Sequence, residues 1–178
     1  GFLLEGPDFV KKLNGIFAIA VWEEKERTLY LFRDRAGVKP LFYTSQKGAF
    51  VFASEIKGLF SYPGIKAVLD EEGLCEIFAL GPAKTYGKGV FRNIQEVLPG
   101  HMLVWKEGQL KTSPYWQLES HLHEDSFQET VEKTAWLIED AVKLQMLSDI
   151  PISTFLSGGV DSSLVTAICA KELKKQGK

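Results

Sequence analysis

The sequence predicts a mixed fold, α/β in one part and α+β in another, on three observations. Short apolar runs recur in pairs around turn residues between positions 13 and 116. A long stretch from Ser126 keeps an apolar stripe at helical spacing. Near the C-terminus an apolar run meets two adjacent glycines and then a second helical stretch. The first pattern is that of antiparallel hairpins, and the third is the strand–loop–helix unit from which parallel sheets are built.

Residues 13–22 are apolar and end at the charged turn 23–27, and residues 28–32 form the next run. Residues 40–44 and 49–53 flank a turn at Gly48, so four strands in two hairpins are expected. Glu55 and Lys57 open a short amphipathic helix, with Ser54 as its candidate cap. Leu74, Ile77, Phe78 and Leu80 fall at helical spacing and place Cys75 as a buried helix residue. Residues 101–105 and 109–116 read as a third hairpin around Glu107-Gly108, and His101, beside a Pro-Gly turn, as a turn or strand-edge residue rather than a base. Residues 118–125 are polar and break the strand pattern. The expected division is a domain over 1–117, a linker over 118–124 and a second domain over 125–178. His121 and His123 stand two apart without a partner cysteine, so a solvated linker outweighs a metal site there. Asp125 or Ser126 caps a helix whose stripe is Phe127, Val131, Ala135, Ile138 and Val142, ending near Ser148-Asp149.

Composition bounds the function. The chain has 178 residues, 45% hydrophobic and 25% charged, which are globular values. Its net charge of −2 comes without a basic block in the body of the chain, which argues against nucleic acid as a partner. Two distant cysteines make no disulfide framework and fit a reducing cytoplasm. No apolar run approaches the ~18 residues of a membrane span. The first residues lack the basic region of a signal peptide.

The chemistry sits in Ser157-Gly158-Gly159-Val160-Asp161-Ser162-Ser163. Residues 150–156 are short, largely apolar and rich in β-branched residues, and read as a buried strand. From Ser162 a helix is expected, with Leu164, Val165, Ile168, Cys169 and Leu173 at its spacing. The first amides of a helix have no internal partner and carry the positive end of its dipole, so a phosphate placed there meets several donors at once. Glycines allow the sharp bend and the close approach, and Ser157, Ser162 and Ser163 add hydroxyls. Asp161 repels a bare phosphate and makes sense with Mg²⁺ between the two. No lysine follows the second glycine, which excludes the loop that cradles β- and γ-phosphates. A plain Gly-Gly turn with Asp161 as helix N-cap is the alternative. The whole heptad in its strand–loop–helix setting favours phosphate.

This heptad resembles the loop of the ATP pyrophosphatase (PP-loop) superfamily. The string Arg33-Asp34-Arg35-Ala36-Gly37-Val38-Lys39-Pro40-Leu41-Phe42-Tyr43 is the second signal. With Leu13-Asn14-Gly15-Ile16-Phe17-Ala18 before it and Phe52-Ala53-Ser54-Glu55-Ile56-Lys57 after it, it resembles the latter half of a class II glutamine amidotransferase domain. Leu98-Pro99-Gly100-His101 and Tyr115-Trp116 continue that pattern. The two together resemble glutamine-hydrolysing asparagine synthetase. For its own role, the Arg-Asp-Arg string reads as a salt-bridged turn rather than as catalytic.

The resemblance implies the latter part of an Ntn-type αββα glutaminase sandwich, followed by the first strand–loop–helix unit of a parallel-sheet PP-loop synthetase domain. It implies a carbon–nitrogen ligase that amidates aspartate through β-aspartyl-AMP, with ammonia from glutamine. ATP and Mg²⁺ are the implied cofactors. Aspartate, glutamine or ammonia, and ATP are the partners, with no nucleic acid and no membrane, and a homodimer is the implied assembly. On that reading Ser157, Gly158, Gly159, Ser162 and Ser163 hold pyrophosphate, Asp161 holds Mg²⁺, and Leu156 lies toward the adenosine. Related ligases and cyclases acting on other carboxylates, such as β-lactam synthetase or lasso-peptide cyclases, share the plan. A non-catalytic nucleotide-binding piece is the rival from another class.

Two departures from the family pattern stand out. Ser153-Thr154 occupies a place where small or apolar residues are common, and Glu23 follows Trp22 where Asp is common. The family's N-terminal cysteine nucleophile is not matched by Gly1, Cys75 or Cys169. The expectation is an internal piece of a longer ligase, without glutaminase activity or robust stability by itself.

Overall fold

β1 (Ala18–Glu23) and β2 (Thr28–Arg33) form an antiparallel hairpin in register from Ala18↔Arg33 to Glu23↔Thr28. β1 starts later than the apolar run that begins at residue 13. The last cross-strand bond runs from the Asp34 amide to the Phe17 carbonyl (3.0 Å), and the Gly37 amide then closes a turn on the Asp34 carbonyl. Beyond that turn β2 offers no backbone to residues 13–16, so no ladder forms there. The computed structural model of the protein describes residues 1–46, 48–81 and 83–177, and the chain divides into two units, Gly1–Glu119 and Ser120–Lys178.

In the first unit two antiparallel sheets face each other. The four-stranded sheet has the order β1-β2-β6-β7, with β6 (His101–Lys106) and β7 (Gln109–Pro114) as its second hairpin. Glu107 and Gly108 both adopt positive φ, 49° and 80°, as a two-residue hairpin turn matched to strand twist requires. The three-stranded sheet has the order β4-β3-β5, from β3 (Phe42–Gln46), β4 (Ala49–Ala53) and the two-residue β5 (Gln95–Glu96). Alternation along β3 places neighbours on opposite faces. Tyr43 joins Leu31, Leu41, Val97 and Leu103 between the sheets, while Phe42 packs with Leu59 and Ile94 on the outer face.

Helices supply the periphery. α1 (Phe2–Glu5) leads into a 3-10 helix, Gly6–Lys12, which buries Val10 and sets Phe9 edge-on to Phe32. α2 (Ile56–Leu59) is a single turn with Glu55 at its N-cap and no side-chain cap bond, so Ser54 does not cap it. α3 (Glu71–Leu80) is capped by Asp70, whose carboxylate accepts from the Gly73 amide. A side chain on Gly73 would stand 2.0 Å from the Val90 carbonyl oxygen, so this contact requires glycine. Beyond it the apolar face of α3 stays open: Phe78 is 83% exposed and Cys75 is exposed, not buried as its spacing predicts.

The second unit holds α4 (Phe127–Gln145) and α5 (Val160–Lys175). Ser126 caps α4 in a reciprocal box: its hydroxyl accepts from the Glu129 amide and its own amide donates to Glu129. The Ser126 hydroxyl also donates to the Glu129 carboxylate (2.7 Å), and this bond, with the one from the Ser126 amide, holds the Glu129 carboxyl below its usual range. Val142, Ile168 and Cys169 form the core of this unit, with Ile138 and Met146 against it. The N-terminal half of the predicted stripe is not covered, and Phe127 is largely exposed. Residues 150–156 form no strand, which corrects the expected first strand of a parallel sheet. A strand exists through its ladder, and no other strand lies in this unit among the described residues. The observed class is mixed α/β with two antiparallel sheets.

Candidate functional site

The loop from Ser157 leads directly into α5. Gly158 has φ +87°, a conformation that favours glycine, and Gly159 is the N-cap of α5. The helix therefore begins at Val160, two residues before the expected Ser162, and Asp161 sits in its first turn rather than at the N-cap. Gly159 needs glycine less: an added Cβ would meet only the Ser157 hydroxyl, at 3.8 Å. The amides of Val160, Asp161 and Ser162 precede the first intrahelical bond, which the Ser163 amide makes to the Gly159 carbonyl (3.1 Å).

The hydroxyls close on the loop itself. Ser163 donates to the Gly159 carbonyl at 2.8 Å and Ser162 donates to the same oxygen at 3.1 Å. Ser162 then has no proton left for Ser157, so in the 3.0 Å contact between their hydroxyls Ser157 is the donor. A ligand thus meets the three backbone amides first, and each serine must rotate before it can donate. Among the described residues the Asp161 carboxylate takes no hydrogen bond or ion pair. Asp161 and Ser162 line one side of a cavity of about 430 Å³ whose other walls include Val142, Ile152, Phe155 and Val165. Leu156 is exposed and is not among its lining residues.

This arrangement fits a diphosphate with a divalent cation. Unpartnered amides at a helix start receive phosphate oxygens, and Mg²⁺ is held by one or two carboxylates together with substrate phosphates. Asp161 is a single carboxylate of that kind, and no cluster of three or more metal-ligating side chains occurs among the described residues.

The Arg-Asp-Arg string does different work from the pairing predicted for it. Arg33 reaches Glu96 on β5 (2.8 Å), with both side chains almost fully buried. Its guanidinium also donates to the carbonyls of Lys39, Val97 and Gly37 at 2.7–2.9 Å. Asp34 accepts from the amides of Val38 and Lys39, each at 2.9 Å. Lys84 approaches the second Glu96 oxygen at 2.7 Å, an ion pair whose angle falls short of a hydrogen bond, and lies over the Phe42 ring. The Tyr115 hydroxyl donates to the Arg33 carbonyl. Burial pushes its pKa up to about 12, and the charge of Asp34 adds to the effect. The string holds its own turn, as expected, and Arg33 also reaches Glu96 and the Val97 carbonyl far along the chain. An acidic residue between Ile94 and Val97 was the one sequence signal for Glu96.

Two histidines make local hydrogen bonds. The His101 ring donates through Nδ1 to the Pro99 carbonyl (2.7 Å). The Thr130 hydroxyl gives its proton to the Ser126 carbonyl, so His123 Nε2 donates to that hydroxyl (2.7 Å). No helix among the described residues is long and apolar enough to cross a membrane.

Facing antiparallel sheets make up the first unit, and a serine-glycine loop feeding a helix marks the second. Residues 2–116 match the family model of the glutamine amidotransferase domain, and residues 133–178 match that of asparagine synthase. The chain belongs to the glutamine amidotransferase domain family. It is 51% identical over 171 residues to asparagine synthetase [glutamine-hydrolyzing] 3 of Bacillus subtilis, covering 96% of this chain and 28% of that protein. Identity to asparagine synthetase [glutamine-hydrolyzing] 2 of the same organism is 36%, covering 94% of this chain and 24% of that protein. Amidase chyE of Penicillium rubens is 34% identical, with 97% and 25% covered. The chain thus spans about a quarter of the length of these relatives.

Proposed function

We propose that the chain works within a ligase of its relatives' length, one that makes asparagine from aspartate with ATP and glutamine-derived ammonia. Residues 1–117 are the latter part of an Ntn-type αββα glutaminase domain, 118–124 the linker, and 125–178 the opening of the PP-loop synthetase domain. The observation that carries this reading is the presence, in one chain and in this order, of the amidotransferase match and the asparagine synthase match.

In the synthetase step the aspartate side-chain carboxylate attacks the α-phosphorus of ATP, and pyrophosphate leaves. Ammonia then attacks the acyl carbon, AMP departs and asparagine is released. Negative charge grows on the departing pyrophosphate, and preorganised donors aimed at it lower the barrier. The amides of Val160, Asp161 and Ser162 are those donors, and Gly158 and Gly159 let the diphosphate approach. Ser157, Ser162 and Ser163 rotate from their internal bonds to join them. Asp161 holds Mg²⁺, which neutralises phosphate charge when bound. Leu156 borders the adenosine. The working assembly is a cytoplasmic homodimer, with neither nucleic acid nor membrane as partner.

Identity favours aspartate as the amidated acid, since the relative at 51% is an asparagine synthetase and the amidase stands at 34%. The test is Asp161→Ala in the full-length ligase. Aspartate-dependent pyrophosphate release should be nearly abolished while glutamine hydrolysis is largely kept. Equal loss of both activities, or release at the wild-type rate, contradicts the role of Asp161.

A further inference from the structure

We propose that Thr154 and Thr166 are positioning residues for the loop, tying the limb that enters it to the helix that leaves it. The proposal rests on the reading of residues 157–163 as a pyrophosphate site. Thr166 Oγ1 donates to Thr154 Oγ1 across 3.1 Å. Threonine within a helix commonly donates back to the carbonyl one turn earlier. Thr166 sends its proton across to the other limb instead.

This contact is the second of two rungs. The first is the 3.0 Å contact of Ser157 with Ser162. Ser162 and Thr166 are four apart on α5 and share a face, while Thr154 and Ser157 are three apart on the incoming limb. Both rungs therefore join the same two limbs. Little else fixes the incoming limb: residues 150–156 have no ladder, and Thr154 and Phe155 are exposed.

Ligand binding makes the rungs unequal. Ser157 and Ser162 can donate to a phosphate only by turning out of their own contact, which opens the first rung. The Thr154–Thr166 rung lies a helical turn further from the loop and can stay closed throughout. It keeps the limbs in register while the serines rotate.

The rung orders the loop equally for bound ATP and for the transition state, so its loss weakens binding without slowing chemistry. In the full-length ligase with ammonia as nitrogen source, pyrophosphate release is measured against ATP concentration. Thr154→Val and Thr166→Val should each raise KM for ATP about fivefold, the worth of one neutral hydrogen bond, with kcat kept within about twofold. The double variant should be no worse than either single one, and Thr154→Ser and Thr166→Ser should restore the wild-type KM. If valine is not tolerated, Thr154→Ala and Thr166→Ala remove the same hydroxyls and carry the same expectation. An unchanged KM, additive effects, or serine variants as impaired as valine overturn the proposal. Asp161→Ala in the same assay separates the two ideas. Retained release there sinks the phosphate assignment, whereas lost release with wild-type KM in the threonine variants sinks only the rung.

Discussion

In the Gly1–Glu119 unit, Leu31, Phe32, Leu59 and Leu103 are sealed from solvent, whereas the best-buried residues of the Ser120–Lys178 unit, Val142, Ile168 and Cys169, remain 6–9% exposed. The first unit closes its core between two sheets and locks it with a buried charge network. The second has one seam between two helices and leaves Phe127, Leu147 and Phe155 in water. The family-marking string of the first unit is held in place by Glu96 and backbone carbonyls, and the family-marking loop of the second has exposed amides and serines bonded only to the loop. The better-sealed core and the loop proposed to take phosphate thus lie in different parts of the chain. Loops that must rearrange around a ligand are drawn from the less stable parts of proteins.

The largest test of that contrast is Arg33→Ala. It leaves Glu96 buried opposite Lys84 alone and strips three carbonyls of their donor. Removing one partner of a buried pair costs about 3–5 kcal/mol. Urea unfolding should show the midpoint of the first unit falling by that equivalent and the helical unit unmoved, read by probes in each. A common shift of both would break the comparison.

A smaller effect is expected in the helical seam. Ile168→Ala should destabilise the second unit by about 2 kcal/mol, the low end for such truncations. Ile168 lines an open groove with Ile138 and Leu164, so water can enter the space the side chain leaves. Leu31→Ala, in a sealed core, should cost about twice that. Equal losses in thermal denaturation would show the two cores to be alike.

The smallest effect sharpens the contrast through pH. The Tyr115 pKa is raised from 10.0 to about 12 in the folded chain, so the folded state favours the protonated hydroxyl. Its contribution is fully present below pH 10, the unfolded value, and is lost as pH rises through about 12. Tyr115 is partly exposed, and solvent screening reduces the effect to about 1 kcal/mol or less. The melting temperature of Tyr115→Phe should lie below wild type up to pH 10, and the gap should narrow from there to pH 12. A gap constant with pH would assign the loss to packing instead.

Much of this was legible in the chain. The hairpins were readable because apolar alternation and the Glu107-Gly108 turn are local features. The α4 cap was readable to within one residue, as Asp125 or Ser126, and the reciprocal box with Glu129 selects Ser126. The candidate loop was readable because the whole heptad stands between an apolar run and an amphipathic one, where two glycines alone would suggest only a turn. The rest depended on distant parts of the chain. β5 is two residues long and exists through its pairing with β3 and a bridge to Lys88. Glu96 meets Arg33 across a fold, not along a sequence. Cys75 lies in a pattern that reads as buried, yet among the described residues of its unit nothing covers that face of α3. Residues 150–156 have the composition of a strand without a neighbour to pair with.

Local periodicity, turn chemistry and capping thus marked most of the strands and helices and the loop proposed to take phosphate, since each acts over a few neighbouring residues. Only the folded chain decided which charges pair, which apolar faces close and where the serine protons point. Those outcomes depend on distances between groups that the chain brings together through space.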